Sequence, residues 1–101
     1  MHILKVSNGK VQILKTSGTI VKNLVPKNAV SAHFNGDQSK VLVTYVSGKV
    51  EIRKPTGSLL KTLVPKNAND ARWVGDDISV ELKNGKTEIR RQTGSLIKTI
   101  F

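Results

Sequence analysis

Cysteine is absent from this chain of 101 residues, which excludes disulfide bonds and thiolate metal sites. No apolar run approaches the roughly 20 residues that cross a bilayer, and the first segment, "MHILKVSNGK", lacks the apolar core of a signal peptide. Only four residues are aromatic. A length of 101 residues predicts a single domain over 1–101, and the lack of a long apolar run predicts that it is not inserted in a membrane. We expect it to be cytoplasmic, and the alternative is that it is carried by a virus or phage.

Acidic residues are also scarce. Seven Asp and Glu stand against 17 Lys and Arg, which gives a formal net charge of +10. A surplus of this size favours anionic partners such as nucleic acid, lipid headgroups or acidic glycans. The alternative is that the lysines keep a strand-rich surface soluble and protect its strand edges from pairing.

An internal repeat dominates what is present. The phrase "LVPKNA" occurs at 24–29 and again at 63–68, at the end of longer copies that begin at "GKVQI" and "GKVEI", and a third copy, "GKTEIRRQTGSLIKTIF", ends before the phrase recurs. The unit is about 37–39 residues long, and its opening part is missing from the first copy. Repeats at such a period are typical of modular folds. The predicted repeats are 1–28, 29–67 and 68–101.

Each complete unit divides into four short runs with a period of two, separated by turn residues. In the third unit the runs are "NDARWV", "ISVELK", "KTEIRR" and "SLIKTIF". Alternation over short segments between tight turns predicts antiparallel strands, so the chain is predicted to be all-β. The segments "SNGK", "VSGK" and "KNGK" are predicted to be two-residue hairpins.

This rhythm resembles the blades of β-propellers, and the unit is similar in length to a WD40 repeat, although the Gly-His and Trp-Asp signatures are missing. With strands labelled A to D, the chain reads BCD, ABCD, ABCD. Because propellers close with about four to eight blades, the resemblance implies a ring completed by homo-oligomerisation, with a six-bladed dimer favoured. The alternative is a monomeric β-trefoil, which also has three four-stranded units. In the propeller reading, "LVPKNA" is the crossover between blades.

Strand direction alternates, so the "GK" turns and the crossovers are expected at one end of every blade. The lysines predicted to form a polyanion-binding face there are Lys10, Lys27, Lys49, Lys66 and Lys86. Lysine contacts phosphate or sulfate without reading bases, so binding would depend on salt more than on sequence. Duplication of one turn lysine would produce the same pattern without any function.

Two aromatic positions and a few polar residues are further candidate sites. Phe34 and Trp73 occupy equivalent positions and could stack on bases or sugars, or could belong to the core. His2 and His33 have no catalytic partner at a recognisable spacing, and "GDQ" and "GDD" favour turns over a cation site. No cofactor, no metal site and no enzymatic activity are predicted.

The sequence therefore predicts a non-enzymatic binding module whose basic face binds nucleic acid or another polyanion, and whose first partner is itself. Two alternatives stay open. One is a lectin-like propeller with a shallow sugar pocket in each repeat, and the other is a protein-interaction scaffold in which charge serves only solubility.

Overall fold

Eleven antiparallel strands in three separate sheets form the computed structural model, which describes residues 1–100. The first sheet contains β1 (His2–Ser7), β2 (Lys10–Lys15) and β3 (Ile20–Val25). The second contains β4 (Ala29–Phe34), β5 (Val41–Tyr45), β6 (Val50–Arg53) and β7 (Leu59–Val64). The third contains β8 (Ala68–Val74), β9 (Asp77–Leu82), β10 (Thr87–Arg90) and β11 (Leu96–Ile100). Within each sheet, strands that follow one another in the chain pair with one another.

The all-β prediction is confirmed, and the strands follow the predicted order with the first sheet lacking its opening strand. The β-trefoil alternative is wrong. A trefoil barrel requires strands of different repeats to pair, whereas within residues 1–100 every strand pairs only with strands of its own repeat. Phe101, which ends the predicted third repeat, lies outside the described residues.

The sheets pack face to face, and the central strand β5 of the second sheet shows how. All five of its residues are buried, because both of its faces are covered. Successive side chains of a strand point to opposite faces. Val41 and Val43 therefore join the core against the first sheet, while Leu42 joins the core against the third. The two cores lie between sheets, so each of the outer sheets has one face that no other sheet of residues 1–100 covers.

The β1–β2, β5–β6 and β9–β10 hairpins are of two kinds. The prediction that all three have two-residue turns is wrong for two of them. In the first sheet Ser7 pairs with Lys10, and both turn residues have positive φ, 53° at Asn8 and 79° at Gly9. That is the backbone of a type I′ turn. The loops 46–48 and 83–85 have three residues, and only the last, a glycine, has positive φ. The segments Val-Ser-Gly and Lys-Asn-Gly can form a three-residue loop with glycine at its end, and the prediction of two-residue turns did not consider that possibility.

Each "LVPKNA" crossover is fixed to hairpins on both sides by backbone hydrogen bonds. In the second copy, the Ala68 N–H donates to the Gly48 carbonyl at 3.0 Å, and the Lys83 N–H donates to the Asn67 carbonyl at 2.8 Å. Asn67 adopts a φ of 76°, a left-handed conformation that asparagine tolerates better than most residues. The first copy makes the corresponding bonds. The repeated phrase is therefore the joint that holds two neighbouring sheets together.

Candidate polyanion-binding face

One end of the three sheets carries both crossovers and the β1–β2, β5–β6 and β9–β10 hairpins, and we call it the crossover face. It consists of loops 8–9, 26–28, 46–48, 65–67 and 83–85. None of these loop residues is acidic. Because each crossover passes between two hairpins, the face is built from the same arrangement twice.

A groove opens on this face where the first and second sheets meet. Its cavity has a volume of about 570 Å³, and its walls include Pro26, Tyr45 and Val46. Three cationic side chains line it, namely Lys27, Lys49 and Arg53. The groove therefore combines an apolar wall with positive charge.

A second groove lies between the second and third sheets at the equivalent place. Its cavity has a volume of about 410 Å³, with Pro65 and Leu82 contributing apolar surface. Its cationic side chains are Lys66, Lys83 and Arg90. Arg90 corresponds to Arg53 and Lys66 to Lys27 in the repeat, so the two grooves are related by the repeat itself.

The buried carboxylate of Glu51 contacts three side chains that line the first groove. It is buried, with 4% of its side chain exposed, and it accepts a hydrogen bond of 2.6 Å from the Tyr45 hydroxyl. Arg53 Nε lies 3.1 Å from Oε1, and Lys49 Nζ lies 3.2 Å from Oε2. Lys49 also sits 4.7 Å from the centroid of the Tyr45 ring, within the range of a cation–π contact. Two of the three cations of this groove thus share one anion.

Two pKa shifts follow from this cluster. Burial alone would raise the pKa of Glu51, but the hydrogen bonds from Tyr45 and Lys49 and the charge of Arg53 hold it below its ordinary value. Burial, together with the hydrogen bond to Glu51, raises the pKa of Tyr45 to about 12. The phenol is therefore protonated at neutral pH and remains a donor to the carboxylate.

Acid is expected to destabilise the protein partly through Glu51. Its pKa is lower in the folded chain than the value of about 4.3 expected when unfolded, so the unfolded chain takes up the proton first as the pH falls. The stabilisation is complete above that value and is lost as the pH falls through the folded pKa. The free energy of unfolding, measured with urea, should fall more between pH 7 and pH 3 for the native chain than for Glu51→Gln. An equal fall in both would show that protonation of Glu51 does not affect stability.

A second carboxyl group also contributes to this acid sensitivity. Burial would raise the pKa of Asp70, but the Ser31 hydroxyl, which donates to it at 2.7 Å, lowers it overall. Glu51→Gln should therefore reduce the acid sensitivity without abolishing it.

The predicted lysines are not equivalent in the structure. Lys27 and Lys66 are exposed on the crossovers beside the grooves. Lys49 is half-buried and paired with Glu51, so part of its charge is already neutralised. Lys10 and Lys86 are exposed at the ends of their hairpins. Whether these lysines bind a polyanion stays a prediction.

Sequence reasoning missed three cations of the grooves. Arg53 and Arg90 follow a glutamate by two residues in "VEIR" and "TEIR", and that spacing places acid and base on one strand face. The structure joins each pair, with Arg90 Nε 3.0 Å from Glu88. Lys83 was missed because its hairpin was predicted one residue too short.

Phe34 and Trp73 both pack half-buried against the cores between sheets. The indole N–H of Trp73 donates to the His33 carbonyl at 3.0 Å, which ties the third sheet to the second. Much of each ring is therefore occupied by packing, and stacking on bases or sugars stays a prediction for the exposed remainder.

No group of three His, Cys, Asp or Glu side chains that could hold a metal ion occurs among residues 1–100. The structure also contains no helix long and apolar enough to cross a membrane within those described residues.

Known proteins resemble this chain in structure and not in sequence. No protein-family model matches it, and no curated protein matches it. The C-terminal WD40 domain of Sif2 superposes with a TM-score of 0.78 at 17% identity, over 99% of this chain and 31% of that one. The WD40 β-propeller domain of Doa1 superposes with a TM-score of 0.79 at 17% identity, over 97% of this chain and 36% of that one.

A chain in the crystal structure of a mitotic checkpoint complex gives 0.76 at 18% identity, over 98% of this chain and 36% of that one. The chain thus spans about a third of the length of the solved chains that it matches. Identities this low establish the fold alone. The three sheets have the fold of consecutive blades of a WD40-like β-propeller, the first blade lacking its opening strand.

Proposed function

We propose that this chain is a non-enzymatic interaction scaffold whose crossover face binds polyanions, with nucleic acid phosphates as the expected anions. The observation that carries the proposal is the pair of repeat-related grooves. Each has three cationic side chains and one carboxylate, Glu51 paired with Lys49 and Arg53 in the first and Glu88 paired with Arg90 in the second. Each groove therefore keeps a net positive charge.

The geometry favours a polymer with repeated charges over a single small anion. Two equivalent grooves on one face can contact the same chain molecule, and the second contact gains from the first through effective concentration. Lysine is a flexible point charge that contacts phosphate without distinguishing bases. The expected binding is therefore tolerant of sequence and sensitive to salt.

The proposal extends to the assembly. Three blades fall short of the roughly four to eight that close a propeller, and no sheet in the described part of the chain covers the outer faces of the first and third sheets. Further copies of this chain would supply the missing blades, and two copies would give a six-bladed ring with the commonest homo-oligomeric symmetry. In such a ring the crossover faces of both copies lie on the same side. One similar chain belongs to a mitotic checkpoint complex, and a propeller that acts by assembly is the use we propose here.

Binding of a fluorescent single-stranded oligonucleotide tests the proposal. If both grooves act, each with a net charge of about two, the logarithm of affinity should fall against the logarithm of salt concentration with a slope of about −3. Replacing Lys27 and Lys66 together by glutamine should weaken binding at low salt by about tenfold or more and flatten that slope by roughly 1.4.

The matched control replaces Lys15 and Lys54, which are exposed at the opposite end of the sheets, and it should leave affinity nearly unchanged. An affinity that is flat between about 50 and 200 mM salt, or equal effects of the two double variants, would contradict the proposal. Heparin in place of the oligonucleotide shows whether the face prefers phosphate. Binding of neutral sugars that is insensitive to salt would favour the lectin-like alternative.

A further inference from the structure

The outer faces of the first and third sheets differ in composition from the faces that are buried between sheets. The inner faces are lined by Val, Ile, Leu and Ala, which form the two cores. At the corresponding rows of the outer faces, polar and charged residues replace several of these apolar ones. The replacements have opposite charge at the two ends of the chain.

On the outer face of the first sheet, a lysine occupies the position that a core residue has in the second sheet. Lys5 pairs with Gln12 across the ladder, as Val43 pairs with Glu51 in the second sheet. Ile13, next to Gln12, is buried against the second sheet, so Gln12 and Lys5 point away from it. Val43 is completely buried, whereas Lys5 is exposed. The outer face of the first sheet is therefore cationic at that row.

On the third sheet, a glutamate occupies the matching place on the opposite face. Glu81 pairs with Thr87, as Thr44 pairs with Val50 in the second sheet. Val80, next to Glu81, is buried against the second sheet, so Glu81 and Thr87 point outward. Thr44 and Val50 are completely buried, whereas Glu81 is exposed. The outer face of the third sheet is anionic at that row.

The two charges lie at the same level of a blade. Lys5 takes the place of Val43 and Glu81 takes the place of Thr44, and these are consecutive residues of β5 that point to opposite faces. Consecutive residues of a strand differ by only about 3.3 Å along its axis. If a third sheet were followed by a first sheet, as the first is followed by the second, Lys5 and Glu81 would therefore meet within reach of each other.

Each charged row has an apolar neighbour. Ile3, which is 45% exposed, pairs with Leu14 on the outer face of the first sheet, and Ile89 pairs with Ser79 on that of the third. These residues supply apolar area beside the charge pair.

The charge of the whole chain is divided in the same sense. Residues 1–28 contain five lysines and no acidic residue, a formal charge of +5, whereas residues 68–101 contain six basic and five acidic residues, a formal charge of +1. Head-to-tail contact therefore brings the most basic repeat of one copy against the least basic repeat of the next. Contact between two first repeats would instead be repulsive, so charge selects the orientation.

We propose that the outer face of the third sheet binds the outer face of the first sheet of a second copy, with Glu81 opposite Lys5. This inference deepens the ring proposed above by assigning its interface, and it is independent of what the crossover face binds. Because the contact is partly polar and exposed charge pairs are screened by salt, the assembly is reversible and weakens as ionic strength rises. Two such contacts related by a two-fold axis close the ring.

Sedimentation analysis at low and high salt tests the contact. The native chain is expected to have twice the monomer mass at about 50 mM salt and to dissociate toward about 500 mM. Lys5→Glu and Glu81→Lys should each weaken self-association by about tenfold or more through like-charge contact. An equimolar mixture of the two single variants should restore association, because every contact between one variant and the other again joins opposite charges, and the double exchange in one chain should restore it as well.

Lys54→Glu is the matched control, because it makes the same change of charge in a loop of the second sheet, away from both outer faces. It should leave the mass at low salt unchanged. Circular dichroism spectra of all variants, compared with the native spectrum, separate loss of association from loss of folding.

A native chain that is monomeric at both salt concentrations would overturn the contact, and the polar outer faces would then act as solvated caps like those of terminal repeats. Failure of the double exchange to restore association would overturn it as well. A trimer or tetramer that responds to the same charge exchange would support it. Oligonucleotide binding measured on the same samples keeps the two proposals apart, since a monomer that still binds removes only the contact.

Discussion

Gly48→Ala is expected to lower the free energy of unfolding by about 3 kcal/mol or more, from left-handed strain and overpacking together. Gly48 has a φ of 92°, which L-residues rarely adopt. A Cβ at this position would lie 2.4 Å from the backbone nitrogen of Asn67 and 2.9 Å from that of Ala68. Since both are backbone atoms of the crossover, relief of the clash would move the joint between the second and third sheets.

Gly85 provides the matched control, because it occupies the same position in the third hairpin. Its φ is 89°, but an added Cβ would have no neighbour within 4 Å. Gly85→Ala should therefore cost only the conformational strain, about 1–2 kcal/mol. Urea unfolding of both variants measures the difference. If the two losses were equal, the contact of the crossover with the hairpin would contribute nothing to stability.

Glu51→Ala is the second substitution with a large expected effect, a loss of about 3–5 kcal/mol in the free energy of unfolding. The substitution removes the acceptor of the Tyr45 hydroxyl and the counterion of Arg53 and Lys49. The cost comes mainly from leaving the Tyr45 hydroxyl without its acceptor and the partly buried Arg53 without its counterion, since Lys49, with 40% of its side chain exposed, can be solvated by water. Gln12 occupies the equivalent position on the outer face of the first sheet, where no sheet covers it and a neutral side chain suffices.

Glu88→Ala is the control for this prediction. Glu88 forms the equivalent ion pair with Arg90, but 16% of its side chain is exposed, against 4% for Glu51. Leu82 stands at the position of Tyr45, so no phenol donates to it. Glu88→Ala should therefore lower the free energy of unfolding less than Glu51→Ala does, and thermal or urea unfolding of both variants will measure the difference. A loss for Glu88→Ala as large as that for Glu51→Ala would show that burial and Tyr45 do not set the cost.

Much of the fold could be predicted from the sequence because its signals are local. The period of two in "VLVTY" and "ISVEL" requires only that alternate residues face opposite sides of a sheet. Pro26 and Pro65 mark the crossovers, where a strand has ended and no ladder donor is needed. The repeat then carries each local assignment to the equivalent segments.

The candidate site was predicted less completely, because its charges depend on what packs against what. Lys10 and Lys49 are equivalent in the repeat, yet only Lys49 faces a buried glutamate and a tyrosine ring. Arg53 belongs to a groove only because the first sheet covers its face of the second. Neither fact follows from the order of residues along one strand.

Alternation, turn chemistry and composition act between residues close in the chain. They were enough to predict an all-β chain of three repeats, the first without its opening strand, with crossovers at "LVPKNA" and a strong excess of lysine and arginine. The three-residue loops of two hairpins are also local, but "VSGK" and "KNGK" fit a loop of either length. Which sheet faces are covered, and that Glu51 neutralises part of the cationic face, depend instead on burial and on contacts between sheets. Such contacts bring together residues far apart in the sequence and change the free energy of each charge that they enclose.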